Sequence, residues 1–102
     1  MFNSNYFVYI TSNTTRSTYY IGVTNDLVRR LDEHFKNSGD KKTFVGRYYC
    51  YTLIYYERYT TPVDAIAREK QLKNWSRSKK TAIIKKQNPL FKSLNEFVSG
   101  DE

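Results

Sequence analysis

Only one cysteine and one histidine occur in 102 residues. The lone Cys50 excludes an internal disulfide, and with His34 as the single histidine the usual Cys/His zinc sites are excluded as well. Cys50 lies in an aromatic run, where a small core residue is expected rather than a nucleophile. No apolar run approaches the length of a membrane span, and the N-terminus lacks the basic-then-apolar pattern of a secretory signal. A reducing cytoplasm is therefore the expected setting. Glycine and proline are scarce, at four and two, and no repeat, linker or low-complexity tract interrupts the chain. At this length a second hydrophobic core would lack residues to fill it. One domain is expected over 1–102, with its core at about 6–94.

Tyrosine and positive charge are what the chain has in plenty. Hydrophobic residues at 39% suffice for a compact core and argue against disorder, and ten tyrosines supply most of the aromatic content. A tyrosine buries a ring while keeping a hydroxyl for a partner, which suits a core rim or a binding surface. The net charge of +7 is local. Nine basic residues (Arg68, Lys70, Lys73, Arg77, Lys79, Lys80, Lys85, Lys86 and Lys92) fall between 68 and 92 against one acid, Glu69. Such a segment points to a polyanion, most simply nucleic acid, with Lys73, Arg77, Lys79, Lys80, Lys85 and Lys86 as the expected contacts. The duller reading is a solvated helix face. A membrane surface fits less well, because the segment lacks a broad apolar face.

Along the chain, residues 6–11 and 18–23 read as strands rich in β-branched and aromatic residues, joined by a polar loop. Alternation puts Phe7, Tyr9 and Thr11 on one side of the first, and Tyr20 with Gly22 on one side of the second. If these sides coincide, two phenols stand together, and Gly22 leaves room for an approaching ligand or backbone. A helix capped near Thr24 or Asn25 follows, with an apolar stripe of Leu27, Val28, Leu31 and Phe35 and with Arg30 and His34 at its edge. Residues 39–46 read as a mobile basic connection, and 48–59 as a third strand apolar on both faces. Thr61-Pro62-Val63-Asp64 opens a helix running to about Trp75. Ser76 or Ser78 caps another, which Asn88-Pro89 ends. Phe91, Leu94, Phe97 and Val98 have the spacing of a short last helix. The reading is ββαβααα, a small α/β (α+β) fold.

The ordered set Phe7-Val8-Tyr9, Tyr20-Ile21-Gly22, Asn25 to Arg30 with His34, Ala65 to Trp75, and Asn88-Pro89 resembles the GIY-YIG endonuclease superfamily. The likeness is closest to its short stand-alone bacterial members and covers about Tyr6 to Leu94. Either tyrosine triplet alone is a weak signal; the ordered set, with arginine eight residues after the glycine, is a strong one. The resemblance implies a three-stranded antiparallel sheet flanked by helices and a divalent-metal nuclease site on the sheet surface, acting on DNA with Mg2+ or Mn2+. By position Tyr9 and Tyr20 match the motif tyrosines, Arg30 the arginine, Glu69 the metal ligand and Asn88 the late asparagine. His34 falls where members carry histidine or tyrosine. One departure is plain: Phe7 stands where the first triplet has glycine.

The residue types suit that chemistry independently. Phosphodiester hydrolysis needs an activated water, a stabilised dianionic transition state and a neutralised leaving oxygen. A cation held by one carboxylate and mostly by water matches magnesium. Arg30 offers a planar, permanent charge to phosphate oxygens. A phenol near a cation can relay a proton from water, and Tyr20, beside Gly22, has the more open approach. Each residue also has a plainer reading: packing for the tyrosines, a salt bridge for Arg30 or for Glu69 with Lys73, helix ending for Asn88. Glu69 stands out as a carboxylate on the side of its helix shared with Ala65, Ile66 and Leu72. Two rival classes follow: a nucleic-acid-binding module of the same fold without cleavage, and a protein-interaction domain.

Overall fold

Why the sheet has one strand buried on both faces follows from its order. The computed structural model describes residues 5–99; residues 1–4 and 100–102 of the expected domain lie outside that range. Strands β1 (Tyr6–Ser12), β2 (Tyr19–Thr24) and β3 (Thr52–Tyr59) pair antiparallel in the order β2-β1-β3. β1 is central, so its continuous burial from Val8 to Ser12 matches its run of β-branched and aromatic residues. Helices α1 (Leu27–Lys36), α2 (Phe44–Tyr48), α3 (Pro62–Lys73), α4 (Arg77–Gln87) and α5 (Asn95–Ser99) complete the order. This is the expected ββαβααα with one short helix, α2, added between α1 and β3.

Two cores form on opposite faces of the sheet. Val8, Ile10, Ile21 and Ile54 pack with Ala65, Leu72 and Ile84 of α3 and α4. Tyr9 and Leu53 pack with Leu27 and Leu31 of α1. A register shift between Ile10 and Thr11 inserts one extra residue in β3, which lets the consecutive Ile54 and Tyr55 enter the same core. Fully burying one aliphatic side chain in such a core is worth about 1.5–3 kcal/mol.

Local signals explain the helix starts. Thr61 accepts from the Asp64 amide with Pro62 in the first turn, and Ser76 accepts from the Lys79 amide. The cap of α1 is Asp26, whose carboxylate accepts from the Arg29 amide at 3.0 Å, rather than Thr24 or Asn25. The stripe of α1 also differs from expectation. Leu27, Leu31 and His34 are buried, a spacing of four and three, while Val28 and Phe35 are exposed. His34 can occupy the apolar side because Tyr9 gives its ring nitrogen a partner. On α3, Ile66 is exposed whereas Ala65 and Leu72 are buried.

The stretch read as a loop and an early strand start is different. β3 begins only at Thr52, and Phe44–Tyr48 are helical, capped by Thr43. The Gly39 amide donates to the Gly46 carbonyl at 2.9 Å. A side chain at Gly46 would collide with the carbonyl oxygens of Asp40 and Asn37, so the segment folds tightly against the end of α1. Asn95 then clamps α5 to β3 by accepting from the Leu53 amide at 2.7 Å and donating to the Tyr51 carbonyl at 3.1 Å.

Candidate active site

Antiparallel pairing sets Tyr9 opposite Gly22 and Thr11 opposite Tyr20. Cross-strand partners share a face, so both phenols project toward α1, with ring centroids 6.2 Å apart. The space beside Gly22 is not left open. A methyl group there would stand 2.5 Å from the Tyr9 phenol oxygen and 2.9 Å from a Tyr20 ring carbon. Gly22 is thus the slot into which the Tyr9 ring fits. Tyr9 is completely buried, while Tyr20 is half-buried and lines the solvent side. Phe7, the departure from the motif, lies edge-on to Tyr56 at 6.3 Å.

Helix α1 delivers the cation. Arg30 Nε donates to the Tyr9 hydroxyl at 3.4 Å, and Arg30 Nη1 donates to Glu33 at 2.9 Å. The Tyr9 oxygen also lies 2.9 Å from His34 Nε2. Arginine only donates, so the phenol proton points to His34, whose Nε2 accepts; this assigns the His34 proton to Nδ1. Burial, with the charge of Arg30 second, draws His34 down to about 4, so it is neutral at physiological pH. Burial likewise pushes the Tyr9 phenol well above its ordinary value, and the bond from Arg30 only partly offsets this. Tyr20, Arg30 and His34 line one cavity of about 240 Å³ together with Asn37, Thr43 and Phe44.

At the β2 edge a second groove, of about 290 Å³, joins this cavity to α3 and α4; Tyr20 and Phe44 line both, and Lys73 and Lys80 line the groove. Glu69, on α3, is largely buried at 17% side-chain exposure and pairs with the exposed Lys73 at 3.1 Å. Its charge also raises the Tyr9 phenol slightly, so the carboxylate lies within electrostatic reach of the tyrosine–arginine group. Among the described residues no three His, Cys, Asp or Glu side chains form a cluster able to hold a metal.

Asn88 stands apart from this constellation. Its amide donates to the carbonyls of Ile54 (3.0 Å) and Lys92 (2.8 Å) and accepts from the Lys92 amide (3.1 Å). It ends α4 and fastens the following turn to β3. The other basic residues divide. Arg77 lies over the Tyr19 ring and Lys79 over Trp75, whereas Lys85 and Lys86 are exposed in the last turn of α4. Cys50 is buried, and burial raises its thiol to about 11, in keeping with an inert core residue.

Sequence reasoning missed two features. Phe44, Thr43 and Asn37 reach the cavity because α2 folds back on α1; the Thr-x-x-Gly run at 43–46 was a usable cap signal. On the opposite face Glu57 accepts from Arg68 through both oxygens (2.9 and 3.0 Å), from Tyr59 (2.7 Å) and from Tyr55. Nothing local in β3 marks Glu57, because its arginine arrives from α3.

Comparisons with known proteins identify the family and the fold. The family model described as the GIY-YIG catalytic domain matches residues 5–82. UPF0213 proteins of Staphylococcus aureus strains Mu3 and N315 are each 36% identical over 80 residues, covering 78% of this chain and 94% of theirs. The solution NMR structure of a UPF0213 protein from Bacillus halodurans superposes with a TM-score of 0.52 at 24% identity, over 85% of this chain and 89% of that one; at that identity the likeness speaks to the fold. The chain belongs to the GIY-YIG catalytic-domain family.

Proposed function

We propose that the chain is a divalent-metal-dependent endonuclease that hydrolyses DNA phosphodiester bonds. The observation that carries this reading is the sharing of one cavity by Tyr20, Arg30 and His34, with the buried Tyr9 hydroxyl bonded to two of them. Glu69 would hold the cation, and a lone carboxylate donor suits magnesium or manganese rather than zinc, since no cluster of three His, Cys, Asp or Glu side chains forms among the described residues. A bound cation would supply positive charge to the phosphate and to the leaving oxygen.

The residues of the chain divide the remaining work. Water attacks phosphorus and one P–O bond breaks. Tyr20, reachable from solvent, orients that water and passes its proton outward, while the leaving oxygen regains one from solvent. Arg30 stabilises the charge that develops on the phosphate oxygens. Tyr9, too buried to meet water and held in its protonated form, is a positioning residue for Arg30 and the neutral His34. Lys73 and Lys80 in the adjoining groove, with Arg77, Lys79, Lys85 and Lys86 beyond it, attract the backbone without reading bases.

The test is a cleavage panel on single-stranded, duplex and branched DNA with magnesium, with manganese and with excess EDTA. We expect cleavage that EDTA abolishes and that Glu69→Gln reduces by orders of magnitude in a folded protein. Cleavage undiminished by EDTA, or a fully active Glu69→Gln, sinks the reading. DNA binding without cleavage under every metal condition identifies a binding module instead.

A further inference from the structure

Helix α2 and its cap present large aromatic rings to water. Phe44, Tyr48 and Tyr49 are 46%, 44% and 53% exposed within six residues, while the same segment buries Val45, Gly46 and Cys50. Leaving such rings in water forfeits burial that a polar residue would not need. The rings are ordered relative to one another: Tyr20 and Phe44 lie 6.0 Å apart at 31°, Phe44 and Tyr48 4.8 Å apart at 49°. The row therefore begins at the candidate catalytic phenol and runs outward. The shelf is braced from below by the Thr43 cap, the Gly39–Gly46 bond and the close approach of Gly46 to α1. Tyr49 ends α2 at φ 58°, a left-handed conformation unusual for a bulky residue.

Charge identifies the occupant. Phe44 shares its groove with Lys73 and Lys80, and Lys41, Lys42 and Arg47 are exposed around the shelf. Exposed rings flanked by cations match the two halves of an unpaired nucleotide, an aromatic base on an anionic backbone. A duplex keeps its base faces covered and offers the rings nothing. A five-residue helix is also too small to insert into a membrane interface.

We propose that Phe44, supported by Tyr48, is a stacking subsite for an unpaired nucleobase on the strand whose phosphate reaches Tyr20 and Arg30. This rests on the nuclease reading but is tested through binding alone. Affinities for a single-stranded oligonucleotide and for the duplex of the same sequence are measured by fluorescence anisotropy, without metal, in the Glu69→Gln background. Phe44→Leu keeps apolar volume and removes the ring face; it should weaken single-strand binding about tenfold, with Phe44→Trp restoring it and duplex binding moving by no more than about twofold. Tyr48→Ala should lower single-strand affinity by a smaller factor, and circular dichroism verifies that each variant is folded. Unchanged single-strand binding in folded Phe44→Leu overturns the proposal, as does equal loss on both substrates. Binding of neither form by the parent overturns it too. Phe44-dependent binding alongside a wild-type chain that never cleaves leaves the subsite standing and removes the nuclease reading; single-strand binding indifferent to Phe44 in a chain that does cleave does the reverse.

Discussion

Two clusters on this sheet are built from the same residue types and do opposite things. On the α3 face Tyr55, Tyr59, Arg68 and Glu57 close upon one another, and every phenol and the guanidinium point at one carboxylate. On the α1 face Tyr9, Tyr20 and Arg30 gather around His34, and two of the four line a cavity open to solvent without being fully buried. The first cluster has used its hydrogen-bonding capacity on itself, so it can stabilise but has little left to offer a ligand. The second keeps a cation and a phenol on the wall of a cavity; Glu33 takes one arm of Arg30 at 2.9 Å, and Glu69, the proposed cation ligand, pairs with the exposed Lys73.

The contrast can be broken from either side. The largest effect is expected from Arg30→Lys, which keeps the charge but loses the planar fork. Turnover should fall by about 10²–10³-fold with little change in DNA affinity, since all seventeen basic charges are kept. Single-turnover kinetics at saturating enzyme measure this, and wild-type turnover would make Arg30 a mere salt-bridge residue. Tyr20→Phe should cost about 10²-fold in rate and almost nothing in stability. Tyr9→Phe should show the opposite balance. It leaves the buried His34 nitrogen without its donor and should cost about 1–3 kcal/mol by denaturant titration. Equal behaviour of the two variants would erase the division of roles proposed for them.

Acid should separate the clusters. His34 titrates at about 4 in the folded chain against an ordinary 6.5, so the unfolded state takes up its proton first. Stability should therefore fall as pH drops from about 6.5 to 4, and His34→Gln should flatten that portion. Glu57 behaves differently. Burial alone would raise its carboxyl, but Arg68, Tyr55 and Tyr59 outweigh burial and hold it below the usual range. Its contribution persists above the ordinary carboxylate value and is lost only as pH falls through the depressed one. Urea titrations across this range in the two single variants distinguish the windows. The smallest effects belong to the lysines. Lys79 and Lys80 to alanine, or Lys85 and Lys86 to alanine, should each flatten the salt dependence of binding by roughly one unit per contacting charge. Because Lys80 lines the groove beside Tyr20, the first pair should also weaken binding more.

What the sequence made legible was what is local or periodic. The three strands and the Thr61 cap follow from alternation and cap chemistry, whereas the facing of Tyr9 with Tyr20 is set by the Tyr9–Gly22 register and the choice of Ser76 over Ser78 by the structure. Helix α2 was not legible, because it straddles a polar, basic stretch that reads as a connection (39–46) and an aromatic one that reads as strand (from Tyr48), and five residues are too few for helical periodicity. Its conformation is decided by Gly46 against the carbonyls of Asn37, the cap of α1, and Asp40 beyond it, a tertiary fact. His34 was read at the edge of a stripe and turned out to be part of it, since its burial depends on a phenol 25 residues away. The Asn88 side chain makes three hydrogen bonds, all to backbone, an anchoring that the Asn-Pro pair alone does not reveal. Glu57 escaped notice for the same reason that it is stable: its partners converge from β3 and α3.

The most direct measurement pairs the two glutamates. Cleavage rate and thermal midpoint are determined for Glu69→Gln and Glu57→Gln in one assay with magnesium. Glu69→Gln should keep a midpoint near wild type and lose activity by orders of magnitude. Glu57→Gln should lose roughly 2 kcal/mol of stability, several degrees or more in midpoint, and cut at close to the wild-type rate where it is folded. A Glu69→Gln variant that cuts like wild type, or a folded Glu57→Gln that does not cut, would contradict the assignment of the two clusters.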